Sequence, residues 1–271
     1  MTMLLKEKVA VVTGCAGGMG VAIGRTLSEH GAHVIAADIN PEKVDAALKA
    51  LKEGGAAKVD GVVVDVASSA SVSAAFDALR GKPGRVDILV NNAGVREIKT
   101  VLDLSPEEWD RVIAINLNGP FYCARAAGLM MRDQGDGGCI INIASVAGLI
   151  AISHRPAYSA AKHGLVGLTK NLARDLAPHK IRVNAVAPGL VRTPLTDSYF
   201  QDEAFVRGLR HSVPFSERGK AQDIANAVLY LASPLADFVN GVTLPVDGGW
   251  LAEKSYAAVD AEHFYSSKGS T

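Results

Sequence analysis

Residues 9–20 read VAVVTGCAGGMG, and this stretch decides the fold. Val9–Thr13 is almost entirely apolar, which is typical of a strand buried on both faces of a parallel sheet. A glycine-rich turn follows, and Met19–His30 continues as an amphipathic stretch that is typical of a helix. Glycines between a strand and a helix let backbone N–H groups approach a phosphate closely. The stretch predicts a nucleotide-binding turn, with a purely structural turn as the alternative.

Short apolar runs alternate with longer amphipathic stretches from there to about residue 250. The strand candidates are Val9–Thr13, His33–Ala37, Gly61–Val64, Val86–Asn91, Cys139–Ala144, Arg182–Ala187 and Val242–Val246. The helix candidates are Met19–His30, Pro41–Leu51, Ser71–Leu79, Pro106–Arg132, Pro156–Ala177 and Ala221–Ala232. Two of these helices begin with a capping residue and a proline, at Asn40-Pro41 and Ser105-Pro106. The alternation predicts an α/β fold with a doubly wound parallel sheet of about seven strands and helices on both faces.

Composition argues against several classes of function. Of the 271 residues, 48% are hydrophobic, which is enough for one sizeable core. The 28 Lys+Arg balance 28 Asp+Glu, so the chain lacks the excess positive charge that an extended nucleic-acid or anionic-membrane surface needs. The longest near-apolar run, residues 140–152, is shorter than the roughly 20 residues that span a bilayer. We therefore expect no nucleic-acid partner and no membrane association.

The N-terminus and the cysteines favour a cytoplasmic location. Charged residues 6–8 interrupt the apolar N-terminus, which lacks the sustained apolar core of a signal peptide. Cys15, Cys123 and Cys139 show neither CxxC nor metal-ligand spacing. We expect free thiols in a reducing compartment and no metal site.

No linker or repeat divides the chain. We expect a single domain over residues 1–250 that binds cofactor and carries out catalysis, followed by a C-terminal tail over residues 251–271. The tail ends in small polar residues typical of a frayed terminus, but Phe264 and Tyr265 leave open a docking role on a neighbouring subunit. Thr193–Pro214 is a long insertion after a strand, where sheets of this type bind ligands.

The end of the second predicted strand favours NAD as the cofactor. Asp38 lies roughly 20 residues beyond the glycine turn, where a carboxylate accepts hydrogen bonds from the ribose hydroxyls of NAD and repels the 2′-phosphate of NADP. No Lys or Arg occurs at positions 36, 37 and 39 or in the turn to bind that phosphate. The turn lacks both GxGxxG spacing and the GK[ST] ending of a phosphoryl-transfer loop. The alternative is that Asp38 caps the next helix, although Asn40 already suits that role.

Further motifs follow the later strands in a fixed order. They are Asn91-Asn92-Ala93-Gly94, then Asn116, then Ser145, then Tyr158-Ser159-Ala160-Ala161-Lys162, then Pro188-Gly189 and Thr193. With these motifs the chain closely resembles the classical short-chain dehydrogenase/reductase family over roughly residues 6–250, more than nine tenths of its length. The glycine turn fits both TGxxxGxG of the classical branch and TGxxGxxG of the extended branch. The chain has no room for the additional C-terminal domain of the extended branch.

The residue types in these motifs suit proton transfer. Tyr158 and Lys162 are four residues apart on a predicted helix and therefore share a face. A tyrosine with its ordinary pKa near ~10 is a poor base, and an adjacent ammonium favours the phenolate. Ser145 lies in a loop from which its hydroxyl can reach a substrate oxygen, and Asn116 can orient a water. Each residue alone could be structural, but the four together favour an active site.

The resemblance implies a Rossmann-type fold and a role for each of these four residues. Tyr158 would be the general acid/base, and Lys162 would bind the nicotinamide ribose and lower the pKa of the tyrosine. Ser145 would position the reacting oxygen, Asn116 would hold a proton-relay water, and Asp65 would contact the adenine. The implied cofactor contacts are Gly14, Gly18, Met19, Gly20, Asp38, Asp65, Val66, Asn92, Ala93, Gly94, Tyr158, Lys162, Pro188, Gly189, Val191 and Thr193. The resemblance also implies a homotetramer with helices Pro106–Arg132 and Pro156–Ala177 at one interface.

These inferences predict an NAD-dependent oxidoreductase that interconverts a secondary alcohol and its ketone by hydride transfer. One alternative is a 3-oxoacyl-thioester (acyl-carrier-protein) reductase, although such enzymes usually prefer NADPH, which Asp38 disfavours. The second is a non-catalytic NAD-binding sensor, which would be expected to lack part of the Tyr, Lys and Ser set.

The predicted substrate is an apolar small molecule. The residues that suggest an apolar pocket are Leu149, Ile150, Ile152, Leu190, Leu195 and Phe200. Four polar residues near the motifs either line that pocket or are simply solvated: Arg96, Glu97, His154 and Arg155.

Overall fold

A parallel β-sheet with helices on both faces forms the centre of the molecule. The computed structural model describes residues 3–193, 196–215 and 219–252. Its strands are β1 (Val9–Thr13), β2 (His33–Asp38), β3 (Val59–Val63), β4 (Ile88–Asn91), β5 (Gly138–Ile143), β6 (Ile181–Pro188) and β7 (Thr243–Val246). They lie in the order β3-β2-β1-β4-β5-β6-β7, and all neighbours are parallel. The predicted single-domain, doubly wound sheet of seven strands is confirmed.

The helices cover the sheet in two layers. They are α1 (Gly18–Glu29), α2 (Pro41–Glu53), α3 (Ser69–Gly81), α4 (Pro106–Ile113), α5 (Gly119–Gln134), α6 (Pro156–Asp175), α7 (Glu203–Ser212) and α8 (Ala221–Ala232). Alternate residues of β1 point to opposite layers: Val12 packs with α1, α2 and α8, and Val11 packs with α3 and α5. Burial on both faces is the reason why these strands read as continuous apolar runs.

Most predicted elements are confirmed to within a few residues. Asn40 caps α2, and Ser105 forms a capping box with Glu108 at the start of α4. The third helix begins earlier than predicted because Ser68 accepts a hydrogen bond from the N–H of Ser71 and so acts as its cap. The predicted strand Gly61–Val64 is shifted to β3, an edge strand whose residues are half-buried or exposed.

The prediction of one helix over Pro106–Arg132 is wrong. A π-helical segment, Ala114–Asn118, separates α4 from α5. In this segment the side chain of Asn116 donates to the carbonyl oxygen of Val112 at 3.0 Å. Pro120, the second residue of α5, has no N–H with which to continue the α-helical ladder from this segment. Helix α7 was not predicted either, and it begins where the Asp202 side chain accepts from two backbone N–H groups.

Part of the predicted tail, residues 253–271, lies outside the described residues, and so do Phe264 and Tyr265. Among the helices of the described part, none is both long enough and apolar enough to cross a bilayer.

A buried carboxylate joins β1 to β4. Asp87 is 3% exposed, and its Oδ2 accepts a hydrogen bond from the N–H of Val9 at 2.9 Å. Arg85 donates to both carboxylate oxygens, and Lys8 lies 3.4 Å from Oδ1. Burial by itself raises the pKa of Asp87, but the hydrogen bonds from Arg85 and Val9 and the two positive charges outweigh it and lower the pKa. The ionised form therefore stabilises the fold.

We expect Asp87→Asn to lower the free energy of unfolding at neutral pH by about 2 kcal/mol, because it removes charged hydrogen bonds in a buried place. The folded pKa is below the unfolded one, so this stabilisation is present above about pH 4 and is lost as pH falls through the folded pKa. Urea unfolding of the wild type and of Asp87→Asn at pH values above and below about 4 measures this difference in the free energy of unfolding. Asp136→Asn is the matched control, because Asp136 meets Arg85 at the surface with 62% exposure. An equal loss in both variants would contradict the assignment.

Candidate active site

The glycine turn after β1 packs closely against the loop after β4. Gly14 has φ +63°, and a Cβ on it would lie 2.9 Å from Cα of Ala93. A Cβ on Gly20 would lie 2.2 Å from the carbonyl oxygen of Gly14. Gly17 differs, because it has an extended backbone and nothing within 4 Å of its Cβ position. The turn thus needs glycine at Gly14 and Gly20 for its own packing and leaves open space at Gly17, at the start of α1.

A hydroxyl and an amide hold these two loops together. The Thr13 hydroxyl donates to the carbonyl oxygen of Val90 (3.3 Å) and accepts from the N–H groups of Asn92 (3.0 Å) and Ala93 (3.1 Å). The Asn92 side chain donates to the carbonyl oxygens of Thr13 (2.9 Å) and Gly14 (3.0 Å). These bonds cross the crevice between β1 and β4, where the strand order reverses and where doubly wound sheets bind ligands.

Asp38 ends β2 with its side chain half-buried. Its Oδ1 accepts from the N–H of Asn40 at 3.3 Å, whereas Asn40 itself caps α2 by accepting from Glu42 at 2.8 Å. Asp38 is therefore not the helix cap. An acidic side chain at this position fits the ribose of a dinucleotide bound with its phosphates at the glycine turn.

The four predicted catalytic residues line one cavity of about 500 Å³: Asn116, Ser145, Tyr158 and Lys162. Seven predicted cofactor residues line it with them: Met19, Asn92, Gly94, Pro188, Gly189, Val191 and Thr193. The others lie beyond this lining, near the ends of the strands β1 to β4: Gly14, Gly18, Gly20, Asp38, Asp65, Val66 and Ala93. The carboxyl edge of the sheet thus carries the predicted cofactor residues from β1 to β6.

Lys162 and Asn116 approach each other around Gly94. A Cβ on Gly94 would lie 2.7 Å from Oδ1 of Asn116 and 3.9 Å from Nζ of Lys162. Asn116 is fully buried and donates to the carbonyl oxygen of Val95 at 2.8 Å. Lys162 is buried and donates to the carbonyl oxygen of Ile143 at 2.7 Å. Nζ of Lys162 also lies 5.5 Å from the ring centroid of Tyr158.

Burial opposes charge on both members of the Tyr–Lys pair. It lowers the pKa of Lys162 to about 8. It also raises the pKa of Tyr158, against the expectation from sequence, and outweighs a hydrogen bond with Ser145 and the charges of Arg96 and Arg155, which lower that pKa. The phenolate of Tyr158 is therefore disfavoured in this structure, and Lys162 does not offset the effect of burial.

Other polar residues left open by the sequence lie beside Tyr158. Arg96, His154 and Arg155 line the cavity. Glu97 binds the backbone instead, where its Oε1 accepts from the N–H of Tyr158 at 3.0 Å. No periodic or motif signal in the sequence distinguishes these residues from solvated ones.

The predicted apolar pocket is right only in part. Ile152 and Leu190 line the cavity, whereas Leu149, Ile150 and Phe200 are not among its described lining residues, and Leu195 lies outside the described residues. Sequence reasoning missed Phe205, Tyr199 and Trp250 as lining residues. Tyr199 and Phe205 belong to the long insertion Thr193–Pro214. The sequence predicts that this segment binds a ligand, but it does not indicate which of its side chains face the cavity.

The cysteines are free and buried. Cys15 lies in the glycine turn, and burial together with the charge of Asp38 raises the pKa of its thiol to about 12. No cluster of three or more His, Cys, Asp or Glu side chains that could hold a metal occurs in the part of the chain that the structure describes.

A family model described as enoyl-(acyl carrier protein) reductase matches residues 14–251. A 3α-hydroxysteroid dehydrogenase of Mediterraneibacter gnavus is 40% identical over 249 residues, which cover 92% of this chain and 98% of that protein. The chain belongs to the classical short-chain dehydrogenase/reductase family. The predicted family is thereby confirmed.

Other relatives in this family differ in what their names say they act on. The 3-oxoacyl-[acyl-carrier-protein] reductase FabG of Thermotoga maritima is 37% identical over 91% of this chain and 99% of its own. A gluconate 5-dehydrogenase from Burkholderia cenocepacia, solved with NADP and tartrate, superimposes with a TM-score of 0.88 at 36% identity, covering 93% of this chain and 98% of that one. Family membership makes the chain an oxidoreductase with a nicotinamide cofactor, and it leaves the substrate open.

We expect Gly20→Ala to destabilise this short-chain dehydrogenase/reductase by about 1 to 3 kcal/mol, because the new methyl group would overlap the backbone of the glycine turn. Gly17→Ala should change stability by no more than about 0.5 kcal/mol, because its Cβ would meet open space. Thermal unfolding of the two variants in the absence of cofactor is the measurement. Similar melting temperatures for both would show that the turn is not packed as described.

The pKa of Lys162 makes stability depend on pH in a predictable direction. Because the folded pKa of about 8 lies below the ordinary 10.5, the unfolded state binds more protons between these values. The free energy of unfolding should therefore rise with pH across this window, relative to Lys162→Met, by about 1 to 3 kcal/mol. Denaturant unfolding of both proteins at several pH values tests this. Parallel curves for the two proteins would mean that Lys162 keeps its ordinary pKa.

Proposed function

We propose that the protein is an NAD-dependent oxidoreductase that interconverts a secondary alcohol and its ketone. The observation that carries the proposal is that Ser145, Tyr158 and Lys162 line one cavity with Met19 of α1, next to the glycine turn, and with residues of the loop after β6. A hydroxyl donor, a proton-transfer group and a cation thus surround one space that is large enough for a nicotinamide and a small substrate.

The proposed cofactor is NAD, bound across the carboxyl edge of the sheet. The half-buried carboxylate of Asp38 supports this choice, since it suits two ribose hydroxyls and repels a 2′-phosphate. The open space at Gly17 suits a pyrophosphate at the N-terminus of α1. Asp65 and Val66, which follow β3, would then flank the adenine. The remaining predicted cofactor residues would contact the dinucleotide along its length, from the glycine turn to Thr193.

In the proposed mechanism, a bound nicotinamide would supply the hydride chemistry, as acceptor in alcohol oxidation and as donor in ketone reduction. Tyr158 takes the hydroxyl proton in oxidation and gives it back in reduction. Ser145 donates a hydrogen bond to the reacting oxygen, and its effect on the pKa of Tyr158 supports a role for both groups at the same atom. Lys162, whose Nζ lies 5.5 Å from the Tyr158 ring centroid, would bind the nicotinamide ribose and pass protons to Tyr158. Asn116 fixes the backbone around Val95 and holds the relay water.

Reduction of a 3-oxoacyl thioester is a second candidate, and the relationship to the FabG protein of Thermotoga maritima favours it. Asp38 argues against this candidate, because such enzymes usually prefer NADPH and a carboxylate at this position repels its 2′-phosphate. A cofactor-binding protein without activity is disfavoured because Asn116, Ser145, Tyr158 and Lys162 are all present.

We further propose a cytoplasmic homotetramer. Trp109 on α4 and Phe121 on α5 are 39% and 43% exposed, and such exposed aromatic side chains suit a subunit interface. We also propose that the tail, residues 251–271, docks on a neighbouring subunit.

Tyr158→Phe should lower kcat by about 1,000-fold or more, because it removes the acid/base group and leaves the cavity shape unchanged. The measurement is nicotinamide absorbance during turnover of a panel of secondary alcohols and ketones, with NAD and NADP compared in parallel. Tyr122→Phe is the matched control, since Tyr122 packs on α5 away from the cavity and should retain activity. Turnover that survives in Tyr158→Phe would refute the assignment.

Asp38→Asn should shift the ratio of kcat/KM for NADP over NAD upward by about tenfold or more, because it removes one negative charge next to the ribose. The same absorbance assay measures it. A wild-type enzyme that already prefers NADP would overturn the choice of NAD.

A further inference from the structure

The cavity next to Tyr158 has a strongly basic lining. The side chains of Arg96, Arg155 and Lys162 line it together with the imidazole of His154. Among the described residues of the chain, no Asp or Glu belongs to this lining, although the carboxylate of Glu97 accepts from the N–H of Tyr158 and its charge raises the pKa of that phenol. A wall of this kind suits a ligand that brings its own negative charge.

Arg155 is the most informative member of this set. Its side chain is half-buried, with Nη1 3.2 Å from the carbonyl oxygen of His154 and Nη2 3.3 Å from the hydroxyl of Tyr199. Both acceptors are neutral, so these bonds bring no negative charge to the guanidinium. Because the side chain is half-buried, its charge is also partly desolvated, which costs free energy that a bound anion would offset. Its charge also lowers the pKa of Tyr158, which places it within electrostatic reach of the phenol.

The backbone before Arg155 is held in a fixed, strained conformation. His154 has φ +60°, the left-handed region that non-glycine residues rarely adopt. Its carbonyl oxygen accepts from the N–H of Lys99 at 3.1 Å as well as from Arg155. Pro156 then begins α6 directly. Strain of this kind persists where surrounding contacts fix it and is common at binding sites, so the position of Arg155 is pre-set before any ligand arrives.

A second guanidinium lies close to Tyr199, the tyrosine whose hydroxyl Arg155 contacts. Arg96 lies over the ring of Tyr199, with Cζ 5.0 Å from the centroid, while Arg155 meets the hydroxyl of that ring. Tyr199 in turn stacks on Phe205 of α7, with centroids 5.1 Å apart. The rest of the wall is largely apolar, with Ile152 and Leu190 among its residues. The cavity therefore combines a cationic end with apolar sides.

We propose that the substrate is a hydroxy or oxo acid: an apolar carbon body that carries a carboxylate, bound by Arg155 with the positive charge of Arg96 nearby. The planar guanidinium matches the two oxygens of a carboxylate, and the alcohol or carbonyl at the other end faces Tyr158 and Ser145. This inference rests on the proposed function for its reacting end. It replaces the expectation of a wholly apolar substrate, because the apolar sides remain and one end is anionic.

The test uses three acids, 4-oxopentanoate, 5-oxohexanoate and 6-oxoheptanoate, and the methyl ester of each. Binding to the full-length protein saturated with NADH is measured by calorimetry, and NADH oxidation is followed separately. The proteins are wild type, Arg155→Met, which keeps an apolar side chain and loses the charge, and Arg155→Lys, which keeps the charge. Arg192→Met is the matched control, because Arg192 is 60% exposed and pairs with Asp197 at 2.7 Å.

We expect at least one wild-type acid to bind more tightly than its ester. Arg155→Met should lower the ratio of acid to ester affinity by about 10- to 100-fold, the value of one or more charge-assisted hydrogen bonds. Arg155→Lys should restore part of this ratio, and Arg192→Met should leave the ratio as in wild type. The ester corrects for any effect of the lost charge on Tyr158, since both ligands share the reacting carbonyl.

The outcomes separate this inference from the proposed function. Acid binding that depends on Arg155 without any NADH oxidation would uphold the anion site and count against the proposed reaction. Reduction of the esters, with acids binding no better than esters, would uphold the reaction and overturn the anion site. An equal loss of acid and ester binding in Arg155→Met, or no acid binding by wild type, would also overturn it.

Discussion

The close contact between the glycine turn and the loop after β4 is the constraint on which the site depends. Strand order reverses between β1 and β4, so their carboxyl ends diverge and leave a crevice. The hydroxyl of Thr13 and the amide of Asn92 close the base of this crevice with direct hydrogen bonds. Only glycine at position 14 allows the two backbones to approach this closely. The turn and the catalytic cavity are therefore parts of one rigid edge.

A buried chain of polar side chains fixes helix α6, which carries Tyr158 and Lys162, on the sheet. Asn91 of β4 donates to Asn142 of β5 at 2.9 Å, Asn142 donates to Thr169 of α6 at 2.9 Å, and Thr169 donates to the carbonyl oxygen of Leu165. Every member is hydrogen-bonded and almost fully buried. Such satisfied networks specify a unique packing, because any shift would leave a polar group without a partner in a dry place. The register of α6, and hence the position of Tyr158, follows from this network.

The electrostatics of the site come from packing more than from the Tyr–Lys spacing. Burial moves the pKa of Tyr158 upward and that of Lys162 downward, so it disfavours the charged form of each side chain. The groups that lower the pKa of Tyr158 are Ser145, Arg96 and Arg155, which come from different parts of the chain. The same two arginines give the cavity its cationic end. One pair of charges thus affects the pKa of the proposed acid/base group, Tyr158, and contributes to the proposed recognition of the substrate.

The sequence by itself determined the layered fold, most strand positions, the helix caps at Asn40 and Ser105, and the motif order that identifies the family. These features depend on apolar periodicity and on hydrogen bonds within a few residues, both of which are written locally. Tertiary structure alone decided the π-helical break at Asn116, the sign of the pKa shift at Tyr158 and the meeting of Arg96 and Arg155 at Tyr199. Burial and charge at a point in space depend on which distant segments pack there, and no spacing along a single chain encodes that.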